Sequence, residues 1–523
     1  MMKKRNTTTD DIQIQDIPIA EERPRKKRKP SPKPKKRVED DVPPEISERK
    51  RRNRQLVRVS YLFVCMFLSL AGYLMYFNIQ KRKDINSNAK NTKQESKEDQ
   101  IIRGAILSSD GEILAGTNVD EAGNETRLYP FDNVFSHVVG YATNGKSGVE
   151  SSSNFELMSC HASILEQVRD QSLDMKVRGD SVVLTLDSRL QKACYDALGS
   201  YNGAVVVIEP DTGKILAMVS KPDFNPNTIA GDWDALISDS TNSSLFNRAT
   251  QGQYPPGSTF KIMTTLAYIR EHPEDYKNYH YTCDGSISRG DVRITCYGGE
   301  VHGQVDLESA FVHSCNGAYA NMGMELNNQD FKTLCEDFLF NTDLSFGLPS
   351  SKSLFTLENG ASYGEEMMTA IGQGNTVVSP LEMAMIAATV ANGGNMMKPY
   401  YIDHIETYDG DEVKKNKPSV YKELMSTEEA EVLADFMRKT VETGTASTLS
   451  GQSYTAAGKT GSAEYETGDT SGTHSWFVGY SNVQNPDLAI AVIAENGGSG
   501  SSAAVPIAKQ IFDAYYNNYD SGY

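Results

Sequence analysis

Ser258-Thr259-Phe260-Lys261 follows Tyr254-Pro255-Pro256-Gly257 and opens the run IMTTLAYI, so its serine stands where a buried helix should begin. On a helix, residues i and i+3 share a face, with Cβ atoms about 5 to 6 Å apart. Ser258 would then be a nucleophile carrying its own base. A serine hydroxyl is a poor nucleophile until deprotonated, and Lys261 can take the proton only when neutral, below the usual lysine pKa of about 10.4. Burial and the charge of a second lysine, Lys459, both push in that direction. Alone the pattern carries little weight, because Ser-x-x-Lys recurs at Ser47, Ser87 and Ser419, in a basic tail, a polar stretch and a Lys-rich loop. A helix cap at Ser258 and a surface lysine at Lys261 are its commoner meaning.

Two further patterns change that weight. Ser314-Cys315-Asn316 lies in FVHSCNGAYANMG, between apolar helical segments, where a hydroxyl and an amide can point into a cleft. Ser-x-Asn also occurs at Ser152, Ser200 and Ser240, so it too is weak singly. Lys459-Thr460-Gly461 occurs once, in a strand-like run where Gly461 would let a ligand approach the backbone closely. The three patterns stand in this order, 56 and 145 residues apart. Ser-x-x-Lys, Ser-x-Asn and Lys-Thr-Gly in that order form the active-site set of serine β-lactamases and penicillin-binding proteins.

The elements that must hold these residues can be read around them. VVLTL (Val182 to Leu186) is strand-like, Asp187 or Ser188 can cap a helix with Leu190, Cys194 and Leu198 on one face, and Gly199 stops it. GAVVVIEP and GKILAMVS flank Asp211-Thr212-Gly213, which predicts a hairpin over 203–220. A helix-rich middle includes SPLEMAMIAATVANGG, closed by Gly393 and Gly394. SYTAAGKTGSAE, HSWFVGYS and DLAIAVIAEN read as three strands, with a terminal helix from about Ala503. Strands at both ends of this region with helices between them predict an α+β fold, an antiparallel sheet with an inserted helical subdomain.

Charge divides the chain. Residues 1 to 55 hold 18 Lys/Arg against 10 Asp/Glu in a protein whose net charge is −17, so the remainder is strongly acidic. The basic head lies among prolines and polar residues that build no core, and reads as a solvated tail near an anionic membrane face rather than a nucleic-acid binder. Val59 to Ile79 is uncharged and long enough to cross a hydrocarbon core. Arg49, Lys50, Arg51, Arg52, Arg54 and Arg58 precede it and only Lys81, Arg82 and Lys83 follow closely, which places the N-terminus in the cytoplasm and the rest outside. The expected organisation is a disordered basic tail (1–57), a transmembrane helix (58–80), a polar spacer (81–100), a small α+β membrane-proximal pedestal (101–180) and a catalytic domain (181–523).

Of seven cysteines, Cys65 lies in the span. Cys283 and Cys296 bracket a short polar loop; an exported setting permits a disulfide there, and two free thiols are the open alternative. There is no CxxC pair and no histidine cluster at ligand spacing, so no metal is expected.

The wider sequence resembles the class B, monofunctional penicillin-binding proteins. RGAILSSDGEILA is similar to the membrane-proximal Arg-Gly motif of that family, with Ser108-Ser109-Asp110-Gly111 departing from its usual Asp-Arg-(Asn/Asp)-Gly. GAVVVIEPDTGKILAMVSKPDFNPN, AIGQGNTVVSPLEMAMIAATVANGG, VETGTA and HSWFVGY resemble family segments, so the likeness covers most of residues 101 to 515. It implies a peptidoglycan D,D-transpeptidase without a cofactor, acting on D-Ala-D-Ala stem peptides and trapped covalently by β-lactams. Ser258 would be the acylated nucleophile, Lys261 its base, and Ser314, near Lys459, the relay to the leaving group. Asn316 would bind the substrate peptide, Thr460 and Ser462 its terminal carboxylate along the Gly461 strand. The backbone N–H groups of Ser258 and Ser462 would form the oxyanion hole. Ser462 stands where the family usually has threonine.

Four rivals share part of this reading. A β-lactamase needs neither membrane span nor pedestal, while a D,D-carboxypeptidase uses the same acylation site and is not separated by sequence. A β-lactam sensor would need an intracellular effector, for which residues 1 to 55 are too short and polar. A bifunctional enzyme is excluded because only about 100 residues separate the span from the transpeptidase-like region; a separate glycosyltransferase would then be the partner.

Overall fold

The computed structural model describes residues 44–80, 101–162, 176–467 and 470–518. The spacer expected over 81–100 lies outside the described residues, as does the expected disordered tail up to residue 43. Two compact units result, Met1–Ile79 and Gln80–Tyr523.

The first unit holds the long helix Pro44–Gln80. It starts inside the stretch expected to be a disordered tail to residue 57, a correction with a local cause. PEISERKRRNRQ places Pro at the first helical position, followed mainly by good helix formers, so the apolar helix extends N-terminally without a break. Within Arg51–Tyr76 an 18-residue window has a mean hydropathy of 1.7 and buries nothing. Leu62, Phe67 and Leu68 are among its fully outward apolar side chains.

In the second unit a five-stranded sheet carries the site. Its strands are β1 (Gly203–Ile208), β2 (Ile215–Lys221), β3 (Ala456–Thr467), β4 (Thr470–Ser481) and β5 (Ala489–Ala494). They lie in the order β3-β4-β5-β1-β2, every pair antiparallel. The hairpin and the three late strands are as the sequence predicted, and β3, which holds Lys459, is an edge strand. β1 reads as a continuous apolar run because both faces are covered. Ala204 and Val206 join the core with helix Pro380–Ala391, whereas Val205 and Val207 pack with Leu190, Cys194, Ile511 and Phe512. Helix Ser188–Leu198 is capped by Asp187, whose carboxylate accepts from the N–H groups of Arg189 and Leu190, and ends at Gly199.

Helices Lys261–Glu271, Asn316–Glu325, Asn328–Asp337 and Tyr363–Ala370 make the inserted subdomain. Phe260 ties it together, its ring 5.8 to 6.0 Å from those of Phe331, Phe340 and Phe355. Beside it, Ser286–Arg289 pairs with Val292–Thr295, and His280–Cys283 with Gly303–Asp306.

The pedestal shares a sheet with the region beyond residue 180. Ser181–Leu184 runs parallel to Ile106–Leu107 on one side and antiparallel to Ile402–Glu406 on the other. One six-stranded sheet thus takes strands from both sides of the expected boundary. Asp110 reinforces this join, accepting from the backbone N–H of Ser188 at 2.9 Å and its hydroxyl at 2.6 Å. Within the pedestal, buried Glu150 receives both Arg103 and Arg127. Burial alone would raise its pKa; the two guanidinium groups more than offset this and hold it below the usual value.

Candidate active site

Ser258 lies not at a helix N-cap but in a 3-10 turn, Gly257–Phe260, that runs directly into helix Lys261–Glu271. The turn is seated on β3. Gly257 has φ +53°, and a Cβ there would stand 3.1 Å from Ala463 Cα and from the Ser462 carbonyl oxygen. A Cβ on Gly461 would stand 3.0 Å from the Pro256 carbonyl and 3.1 Å from Trp476 Cβ. The close approach expected of a ligand at Gly461 is therefore made by the chain itself, with the nucleophile's turn packed onto the strand. The Trp476 indole N–H, opposite Gly461 in the ladder, donates to the Pro255 carbonyl at 3.1 Å.

Lys261 is wholly buried. Its Nζ donates to the Ser314 carbonyl at 2.8 Å, the Ser314 hydroxyl at 3.2 Å and the Asn316 amide oxygen at 2.7 Å. Burial pulls its pKa down to about 7, against the opposing charge of the Cys315 and Cys296 sulfurs. Ser314 has φ +58°, a left-handed conformation costly for a side-chain-bearing residue. It joins helix Leu307–Val312 to helix Asn316–Glu325.

Lys459 is also fully buried, 5.6 Å from the centre of the Phe311 ring, and its Nζ donates to the Thr460 carbonyl at 3.2 Å. Burial first, then the charge of Lys261, holds it well below the lysine range. Burial is the larger cause at both lysines.

A cavity of about 1040 Å³ is lined by Ser258, Ser314, Asn316, Thr460 and Ser462, so one opening gathers all three motifs. Among these, the Thr460 hydroxyl meets that of Thr445 at 2.6 Å, and the Ser462 hydroxyl accepts from the Gly500 N–H at 3.2 Å. Glu464 lines the cavity too, on the Thr460 and Ser462 side of β3. Glu308 instead forms a 2.6 Å ion pair with Lys439.

A family model described as the penicillin binding protein transpeptidase domain matches residues 203–513, and one described as the penicillin binding protein A dimerisation domain matches residues 103–182. The chain belongs to the penicillin-binding protein transpeptidase family. It is 30% identical to the peptidoglycan D,D-transpeptidase PbpA of Mycobacterium tuberculosis over 79% of this chain and 88% of that one. With PbpA of Mycolicibacterium smegmatis it shares 28% identity over 87% and 98%. Its fold is similar to that of M. tuberculosis penicillin-binding protein A solved as a penicillin G acyl-enzyme complex, with TM-score 0.72 and 29% identity over 79% of this chain and 99% of the other.

Within this penicillin-binding protein fold, sequence reasoning missed two things. Thr445 was within reach, since VETGTA was singled out as family-like, yet no role was attached to its threonine. The second concerns cysteine. Cys283 and Cys296 are free thiols with sulfurs 3.6 Å apart, so the bridge between them is absent. The sulfurs of Cys283, Cys296 and Cys315 and a ring nitrogen of His302 lie within 4.8 Å of one another, a grouping that the sequence reading did not bring together. Spacings of 13, 6 and 13 residues carry no short metal motif; the Ser286–Arg289/Val292–Thr295 hairpin, the pairing of His280–Cys283 with Gly303–Asp306 and a helix start bring them together.

Proposed function

We propose that this chain is a peptidoglycan D,D-transpeptidase acylated at Ser258, with its catalytic unit outside the cell. The observation that carries the reading is Lys261, buried, bound to both members of the Ser314/Asn316 pair and brought to about 7. A lysine in that state is neutral in much of the population near pH 7 and can act as a base.

Ser258 Oγ attacks the carbonyl carbon between the two terminal D-alanines while its proton passes to neutral Lys261. The backbone N–H groups of Ser258 and Ser462 stabilise the oxyanion. As the C–N bond breaks, Ser314 passes a proton, resupplied from the Lys261 and Lys459 side, to the departing D-alanine amine. Asn316 holds the donor peptide, Thr460 and Ser462 its carboxylate, and Gly461 seats the turn. A stem-peptide amine then attacks the Ser258 ester, forming the cross-link and returning the hydroxyl. β-lactams enter the same path and stop at the ester.

The helix Pro44–Gln80 anchors the protein with its basic N-terminal side in the cytoplasm. Glycan strands come from a separate glycosyltransferase. Gel detection of a covalent adduct with fluorescent penicillin tests the reading: wild type is expected to label and Ser258→Ala not to label. Equal labelling of both would remove Ser258 from the mechanism.

A further inference from the structure

β3 is an edge strand, so along its outer side every second residue offers a backbone N–H and C=O that β4 does not use. Glu464 is one of these residues. The two polar atoms of the Gln373 amide lie 3.0 Å from its backbone nitrogen and 3.0 Å from its carbonyl oxygen. With the NH2 turned toward the carbonyl and the oxygen toward the N–H, as those partners require, the amide makes both bonds. One side chain thus occupies the place of a residue in a further strand.

The backbone around Gln373 is locked to the nucleophile's turn. Its own N–H donates to the Met368 carbonyl at 2.9 Å, at the end of helix Tyr363–Ala370. The Gly257 N–H donates to the Gly372 carbonyl at 2.8 Å. Gly372 has φ +74°, and a Cβ there would stand 2.1 Å from the Gly257 carbonyl oxygen, so only glycine lets the two turns close on each other. Gln373 therefore reaches β3 from a fixed base beside Ser258.

We propose that Gln373 is a specificity-determining residue that ends backbone recognition of the donor peptide at Ser462. The direction of the donor comes from the acylation reading above, on which this inference rests. With its carboxylate toward Thr460 and Thr445 and its scissile carbonyl at the Ser462 N–H, the rest of the stem runs along the edge toward Glu464. The Ser462 carbonyl faces outward too, since a Cβ on Gly257 would stand 3.1 Å from it. The next outward pair of backbone groups, two residues on, is that of Glu464 and is already taken. Space does not run out at this point, because a second cavity of about 570 Å³ shares Gln373, Glu464, Tyr465 and Glu466 with the catalytic one. Pairing stops because its partners are occupied. The D-Ala-D-Ala end is read through the strand, and the residues before it leave the edge.

Acetylated donors of two and four residues, both ending in D-Ala-D-Ala, test the stop in the full chain, with D-alanine release followed under a fixed excess of glycine as acceptor amine. Gln373→Ala frees the Glu464 groups for the longer donor alone. The ratio of kcat/KM, four residues over two, should rise by about 5- to 10-fold relative to wild type, the lower range for two hydrogen bonds. Any contribution of the third residue is common to both proteins and drops out of that comparison. A merely structural role for Gln373 would slow both donors alike and leave the ratio where it was. Gln373→Ser serves if the alanine variant does not fold. If neither donor turns over, the protection each gives against fluorescent penicillin labelling yields the same ratio. An unchanged ratio in protein that labels with penicillin overturns the stop and leaves the acylation reading standing. Wild type that neither labels nor releases D-alanine overturns the acylation reading, and the stop falls with it.

Discussion

Lys261 Nζ lies 2.7 Å from Asn316 Oδ1, so the base of the first motif is held by the third residue of the second. Neighbouring turns of one helix do not explain this position. The Ser258 turn, its helix and the start of helix Asn316–Glu325 must all be in place before the ammonium has partners, and their packing is also what removes it from water.

Acylation should therefore follow the neutral fraction of Lys261. With its pKa near 7, the second-order rate of penicillin acylation is expected to rise with pH through about 7 and then level off. Lys261→Ala should lower the plateau by about 10²- to 10⁴-fold, the usual worth of a general base, and flatten the rise. Stopped-flow acylation across pH 5 to 9 checks both; a wild-type rate flat below pH 7 would mean a different base.

Gly461→Ala should lower stability by about 1 to 3 kcal/mol, the usual penalty of overpacking, and slow acylation as well. The added methyl would press on the Pro256 carbonyl and Trp476, the seat of the nucleophile's turn. Thermal unfolding and adduct formation are the two readouts; a variant normal in both would show that the turn does not depend on this seat.

Glu382 is buried in helix Pro380–Ala391, and one of its carboxylate oxygens has no hydrogen-bond partner among the described residues. Burial raises its pKa from 4.5 to about 8. The folded state therefore holds a proton that the unfolded state releases between those values. Its contribution to stability is full below pH 4.5 and is lost as pH rises through 8. Glu382→Gln should make stability less dependent on pH across this window and should exceed wild type at pH 9. Thermal melts at pH 5, 7 and 9 would reveal it; parallel curves for the two proteins would contradict the burial argument.

The penicillin adduct should be long-lived, because hydrolysis needs a base that positions water against the ester. Glu308 is engaged with Lys439, and Glu464 is an exposed carboxylate on the cavity wall. Glu464→Gln is expected to leave the rate of adduct loss unchanged. A markedly slower loss in that variant, from a wild type that turns over within seconds, would place the enzyme among the hydrolases.

External protease applied to intact cells should digest the region after residue 81 and spare the basic tail. Antibodies to each end on a blot read the result, and the reverse pattern would overturn the orientation and with it the extracellular substrate.

Much of the framework was written locally. Asp187 and Gly199 mark the ends of a helix, Asp211-Thr212-Gly213 marks a hairpin, and the apolar runs of β1 and β5 mark strands covered on both faces, because caps, turns and burial patterns depend on residues close in sequence. The start of helix Pro44–Gln80 was misplaced for the opposite reason. Its polar first turns have no burial pattern, and charge was read as disorder where helix propensity and continuity with the apolar segment prevail.

The sequence by itself determined the three motifs, their order and their chemistry, since a serine, two lysines and an asparagine carry their reactivity in their side chains. Tertiary structure alone decided how that chemistry is tuned. Only packing could bury Lys261 and Lys459, pair Lys261 with Ser314 and Asn316, seat Ser258 on Gly461, and draw Cys283, Cys296, His302 and Cys315 to one point. Desolvation and close contact are properties of surfaces brought together from distant parts of the chain, and no local pattern of residues records them.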